Sequence, residues 1–390
     1  MAAAIASASC QRAPPQGDLA PPSRDARDPA GTSLDIAAPD RSRTSADASA
    51  PEDASASDAS GADASGAAEA PGLAPSDPMS SHKETKAELL ALIDLGAPGD
   101  LGDGAPSAAS AASAPRSARE KSQRARAERF LEKVLGTGGP HRMNQGNKAI
   151  ASHLVTREKC LEGLRGITLQ TAEQRATCGA ENMVPVWSKG KAPAFCIDIF
   201  EFPNKACELP LVWTPPSEAK QVCAQQGKRL CSDLEWNTAC RGDPEGGADL
   251  RYAYGSQLDL AICNTAKGHI RTCIARDAES AWKTCATETE PSGSYPRCRS
   301  RFGVFDQHGN VAEIMTRRQG DDIVTQLKGS AWFYDELAKE PNAPAPDTTP
   351  NKKGAYPDHC NFDPRWHVEP LDRAHHTNYH LGFRCCKSIP

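Results

Sequence analysis

The sequence predicts a disulfide-stapled domain of short helices and strands with much irregular chain, carried behind a long disordered segment. Three observations predict it. Of the 15 cysteines, all but Cys10 lie from Cys160 onward. The first 115 residues contain no Phe, Trp or Tyr and are mostly Ala, Ser, Asp, Gly and Pro. After Cys178 the chain becomes a series of short apolar segments punctuated by Gly and Pro.

The N-terminal stretch, residues 1–115, buries too little apolar surface to offset the entropy of ordering and is expected to be disordered. Runs such as SADASAPEDASASDASGADASGAAEAPG and GAPSAASAASAP have the composition of a flexible tether. A tail that binds a partner is the alternative. MAAAIASASC lacks the basic start and long apolar core of an export signal. The small residues before Cys10 resemble the end of a lipoprotein signal, which would make Cys10 a lipid anchor and the tether its stalk. A net charge of −5 gives no general attraction to nucleic acid or to an acidic membrane. No apolar run approaches the roughly 20 residues that span a bilayer. Cysteines at this density suggest an oxidising, secreted or cell-envelope location with structural disulfides. Zinc-ribbon spacing is absent, because no CxxC pair occurs.

Residues 116–177 read as a helical linker. RSAREKSQRARAERFLEKVL mixes Arg, Lys and Glu at spacings that support an exposed helix over 118–135. Ile150, Leu154, Leu161 and Leu164 form an apolar stripe, which predicts a second helix over 148–174. Residues 178–390 form the compact domain. MVPVW (183–187) and AFCIDIFEF (194–202) alternate as strands. Asp198 and Glu201 on that second segment are expected on opposite faces. A short helix over 217–226 starts at Ser217 as N-cap and stops at Gly227. Another over 232–240 has Ser232 as cap and Glu235 at the capping-box position. Beyond Gly242 only loops and short strands are expected.

GKRLCSDLEWNTACRG (227–242), YAYG (252–255), GVFDQHGNVAEI (303–314), LKGSAW (327–332) and LGFRCC (381–386) follow one another in that order. Together they resemble the signature of the formylglycine-generating enzyme, or sulfatase-modifying factor, family over roughly 178–387. The resemblance implies an α+β fold related to C-type lectins, poor in regular secondary structure and dependent on staples. It also implies two disulfides, Cys223 with Cys385 and Cys240 with Cys360. Each closes a loop of over a hundred residues, for roughly 4 to 5 kcal/mol per bridge. Cys196, Cys231 and Cys386 are left unassigned. By the same resemblance, Asp306 and Glu313 with the carbonyls of Gly309 and Val311 are expected to bind calcium, whose preference is for hard oxygen ligands. The alternative is that the two carboxylates cap the turn. A second calcium site maps to Asn264, the Thr265 carbonyl and Glu201.

The family's copper-holding cysteine pair would lie a few residues past LKGSAW, since Cu(I) prefers soft sulfur. The stretch WFYDELAKEPNAPAP (332–346) contains no cysteine. Ala331 and Ala312 stand where the family has serine and a groove-lining tryptophan. Copper is therefore not expected, and the first reading is a non-catalytic binding or structural module. A second reading is an oxidoreductase using another metal, such as iron, on the C-terminal histidines 359, 367, 375, 376 and 380. Trp332, Arg365, Trp366, His376 and His380 are the expected lining of a ligand pocket. No GxSxG elbow surrounds Ser330, and no phosphate-binding loop occurs. Partners are expected to be a protein or small molecule.

Overall fold

The computed structural model describes residues 77–95, 118–333 and 359–389, except 189, 248, 266, 268, 365 and 366. Cys10, most of the expected tether, the stretch 334–358 and the pocket candidates Arg365 and Trp366 lie outside the described residues.

Two small sheets organise the domain. Strands β1 (Met183–Val186), β2 (Phe195–Asp198) and β3 (Arg229–Leu230) join β7 (Cys385–Ser388) in an antiparallel sheet of order β1-β2-β7-β3. Pro185 can sit inside β1 because that strand is an edge. Strands β4 (Ala312–Gln319), β5 (Asp322–Lys328) and β6 (Leu381–Phe383) form the second sheet, order β5-β4-β6, in which β4 and β6 run parallel. A single residue, Arg384, separates β6 from β7, so the chain changes sheets there. Mixed helix and sheet with long irregular connections is the α+β architecture expected.

The β4–β5 hairpin corrects the expectation of little regular structure beyond Gly242. Its register pairs Gln319 with Asp322 around Gly320, whose φ is +61°. The outer half, RRQGDD, is polar and largely exposed and the inner half is buried at every position, so neither half shows the alternation of a half-buried strand. Helix α7 (Ala278–Thr284), capped by Asp277, also lies beyond Gly242.

The N-terminal expectation fails at 77–95. Pro78–Ser81 is a 3-10 turn and Lys86–Leu92 is helix α1, closed by a Thr85–Glu88 capping box. Leu89, Leu92 and Ile93 are buried against Leu131, Val134 and Leu135. Leu131 and Val134 lie on helix α2 (Ala118–Val134). Four aliphatic residues in ELLALI drive this docking, and the Ala/Ser/Pro-rich context diluted their signal.

The helix expected over 148–174 is two short ones, α3 (Arg157–Gly163) and α4 (Ala172–Cys178). Thr156 and Thr171 cap them, and Gly166 at φ +81° breaks the chain between. Leu154 is 67% exposed and Leu161 42%, so the apolar stripe was coincidental. Helix α5 (Pro216–Gln225) starts one residue earlier than expected. Pro215 and Pro216 open it and Ser217 does not cap it, because a proline at the first turn needs no N–H partner. Helix α6 (Asp233–Arg241) has the Ser232–Glu235 capping box and buries Trp236, Ala239 and Cys240 at helical spacing.

Seven disulfides bind the described domain: Cys160–Cys207, Cys178–Cys196, Cys223–Cys385, Cys231–Cys386, Cys240–Cys360, Cys263–Cys298 and Cys273–Cys285. The adjacent Cys385 and Cys386 fasten β7 to α5 on one side and to the end of β3 on the other. Phe202 and Phe383 stack at 4.5 Å in the core between them.

Candidate functional site

The turn after β2 and the turn before β4 meet at a buried cluster of carboxylates. Glu201 is fully buried and accepts from Val311 N, Asn310 Nδ2 and Ser292 Oγ. Its expected position opposite Asp198 does not expose it, since both carboxylates are at 0% exposure. Asp198 instead pairs with Lys228 and accepts from Cys385 N. Asp306, held at φ +55°, accepts from Gly293 N at 2.6 Å.

Glu313, one of the expected calcium ligands, faces an arginine. Both of its oxygens receive the Arg384 guanidinium, and Oε2 also accepts from Trp236 Nε1 at 2.9 Å. The other Arg384 N–H groups reach the carbonyls of Asp198, Ile199 and Phe305. All five of its donations stay inside the protein, which is how a fully buried arginine is tolerated. A guanidinium thus supplies positive charge at Glu313.

One arginine does not balance three acids. Burial, then repulsion from Asp306 and Glu313, pushes Glu201 well above the usual carboxylate range, against the opposing pull of Arg384. Burial pushes Asp306 up to about 7, opposed by the Gly293 N–H and Arg384.

The second expected set was Asn264, the Thr265 carbonyl and Glu201, whose carboxylate already accepts three hydrogen bonds. Asn264 is buried, and its Nδ2 donates to Asn310 Oδ1, which links it through Asn310 to Glu201. Its Oδ1 and Thr265 Oγ are buried with no hydrogen-bond partner among the described residues. These are hard oxygen donors of the kind calcium takes. Gly309, at φ +74°, lies directly on the Asn264 carbonyl, where any side chain would collide.

Of the stretch where the copper pair was sought, only Trp332 and Phe333 lie among the described residues. Ala312, Ala331 and Trp332 are buried, and Ser330 Oγ is taken by Gly309 N. Cys240, His308 and Cys360 bring their donor atoms within 4.8 Å of one another. Their two sulfurs are bonded to each other, and His308 Nε2 accepts from Ala253 N at 2.8 Å. That leaves no thiolate there.

Three of the C-terminal histidines, His367, His376 and His380, lie near one another, with His380 against Phe333 and Tyr379. His367 and His376 stack with centroids 3.8 Å apart. His380 meets Phe333 edge-on at 5.0 Å, and His269 lies 4.7 Å from Phe333 and donates or accepts at the Tyr379 hydroxyl. Burial, then His376, lowers His367 to about 4. Burial also depresses His380, helped by the three other imidazoles, and depresses His376 and His269. These four rings are therefore neutral at pH 7, the state that ligates metals. His376 Nε2, His380 Nδ1 and Trp332 Nε1 are buried without a partner among the described residues. No three of these histidines converge within 4.8 Å among the described residues. His359 lies apart, against Phe362, and His375 is exposed.

Sequence reasoning missed Arg384, His269 and Tyr379. Arg384 stood in the quoted LGFRCC motif, but nothing in its neighbourhood identifies a partner 71 residues away.

Comparison with known proteins agrees on the region. Residues 201–389 match the family described as the sulfatase-modifying factor enzyme 1-like domain. The chain is similar to a Mus musculus protein named inactive C-alpha-formylglycine-generating enzyme 2, with 26% identity over 183 residues, 46% of this chain and 50% of that protein. It is also similar to a Mycolicibacterium smegmatis hercynine oxygenase, with 32% identity over 97 residues, 25% of this chain and 19% of that protein. The chain thus spans half or less of the length of these relatives. Among solved structures, the crystal structure of CarF aligns with 14% identity and a TM-score of 0.30, covering 50% of this chain and 87% of that one.

Proposed function

Because its residues 201–389 belong to the sulfatase-modifying factor enzyme 1-like family, we propose that this chain uses the family scaffold as a non-catalytic binding or structural module outside the cytoplasm. One observation carries the reading: all fourteen cysteines from Cys160 onward are consumed in seven disulfides. A copper-dependent oxidation of a client cysteine needs a soft thiolate pair, and Cys10 is the one cysteine left. The name of the mouse relative, which calls that protein inactive, supports the same direction. The test is twofold. Thiol titration of the unfolded, unreduced protein should find at most one thiol. Incubation with Cu(I), oxygen and a sulfatase-derived cysteine peptide should leave the peptide mass unchanged. Aldehyde formation above the no-protein control would overturn the reading.

Calcium belongs to this proposal as a structural ion. Asn264 Oδ1 and Thr265 are the residues that would hold it, adjacent to the carboxylate-rich cluster of Glu201 and Asp306; Glu313 is not one of them. A bound divalent cation would supply positive charge where burial now raises the carboxylates. Calcium should raise the melting temperature of the wild-type protein, and the Asn264→Ala variant should lose that response. An equal response in both would exclude this site.

A second reading, a metal-dependent oxidoreductase, is favoured by the partnerless His376 Nε2 and His380 Nδ1. Stoichiometric iron or copper in natively purified protein, lost in His376→Ala or His380→Ala, would establish it and displace the module reading.

The extracytoplasmic location rests on the disulfides. No helix of the described residues is long and apolar enough to cross a membrane. A lipid anchor at Cys10 is part of the proposal, tested by mass spectrometry of the mature N-terminus.

A further inference from the structure

The segment YPRCRSRFG, outside the cluster and the histidine patch, presents three arginines on one side. Arg297, Arg299 and Arg301 are exposed, while Cys298, Ser300 and Phe302 between them are buried. The alternation comes from tight turns on either side of a single bridged residue: Cys298 N donates to Tyr295 O, Arg299 N to Arg297 O, and Gly303 N to Ser300 O. The backbone is fixed. Cys298 is bonded to Cys263, Arg299 bridges Phe305, and Ser300 N donates to Val304 O around Gly303 at φ +86°.

These arginines line an open cleft of 630 Å³ whose other walls include Thr168, Thr171 and Tyr254. No Asp or Glu is among the lining residues. Arg301 pairs with Asp243. Arg299 lies over the Phe305 ring at 6.0 Å, and neither it nor Arg297 has a carboxylate partner among the described residues. Asp243 neutralises Arg301, so in a chain of net charge −5 the cleft is left with two guanidinium groups, Arg297 and Arg299, whose like charge carries an electrostatic cost. A bound anion removes that cost.

We propose that this cleft binds a tetrahedral oxyanion ester, a sulfate or phosphate monoester carried by a small molecule. Guanidinium forks match such an oxyanion bidentately, which a simple ammonium does not. Thr171 Oγ accepts from Gln174 N in the α4 cap and keeps its O–H to donate. The phenol of Tyr254, whose ring stacks on Tyr252 at 5.5 Å, adds a flat face for the body of the ligand. The negative charge of the whole chain disfavours a phosphodiester polymer, which would be repelled along its length.

The test is calorimetric titration of the full chain with glucose 6-sulfate, glucose 6-phosphate and glucose, against the Arg297→Gln/Arg299→Gln variant. Both substituted residues are exposed, and circular dichroism and melting temperature of the variant should match wild type. At least one ester should bind, glucose should not, and the variant should bind that ester about tenfold or more weakly, as expected for losing hydrogen bonds to a charged group. Preference for one ester identifies the source as sulfate or phosphate. Absence of binding by both esters, or equal affinity in the variant, refutes the proposal.

Discussion

Replacing Arg384 with methionine is the perturbation that tests the carboxylate cluster most directly. The methionine fills similar volume without charge, so the cost isolates the guanidinium's interactions. Wild-type Arg384 makes a bidentate pair with Glu313 and donates to three carbonyls, all in the dry junction between the two sheets. Breaking a buried ion pair from one side costs about 3–5 kcal/mol, because the other charge stays behind. Each carbonyl left unsatisfied adds about 1 kcal/mol or more. The variant should therefore lose at least about 5 kcal/mol, enough to unfold many domains. The assay is equilibrium unfolding in urea with the disulfides intact, at pH 8 and pH 5. The penalty should be smaller at pH 5. Arg384 opposes the upward shifts of Glu201 and Asp306, so without it these carboxylates bind protons more strongly when folded. A folded state that binds more protons than the unfolded one gains stability as pH falls. A loss below about 1 kcal/mol, or a penalty that grows toward acid, would refute the account of Arg384 as the cluster's counter-charge.

Other predictions concern the frame around that cluster. His153 is 3% exposed, and burial lowers it to about 4 from 6.5, against the pull of the Thr289 carbonyl. Because the unfolded chain takes up that proton first, wild type should lose about 3 kcal/mol relative to His153→Gln between pH 6.5 and 4. Parallel pH–stability curves for the two proteins would count against it. Cys231–Cys386 spans 155 residues, but Cys223–Cys385 already closes that loop. Removing it by the double serine variant should cost about 3 kcal/mol, and not the roughly 5 of an isolated loop, in the chain-entropy model; urea midpoints distinguish the two. Gly309→Ala should lower stability by more than about 2 kcal/mol, combining left-handed strain with overlap on the Asn264 carbonyl. A melting temperature equal to wild type would show that the turn relaxes.

What was legible in the sequence was local. The capping box of α6 needs only Ser232 and Glu235, three residues apart, and both are in place. Strands β1 and β2, although buried at every position instead of alternating, and the α+β texture are likewise read from neighbours. Legibility failed where a short pattern competed with a distant partner. Thr156 and Thr171 end what looked like one amphipathic helix, because each cap satisfies backbone N–H groups more cheaply than a continued apolar face that finds no core. Glu313 is the sharper case. On its own turn, a carboxylate near Asp306 and two carbonyls is a plausible cation site by ligand chemistry alone. The residue that answers it is Arg384, which enters from the single position where the last strand passes between sheets, after β6 has paired Gly382 with Glu313. Strand pairing sets this contact, and a motif read in isolation carries no strand order. The charge count then shows what the arginine leaves unfinished. Glu201 and Asp306 remain raised, and the partnerless oxygens beside them belong to Asn264 and Thr265. Asn264 has an amide oxygen that carries no formal charge and attracts notice only once the fold has buried it.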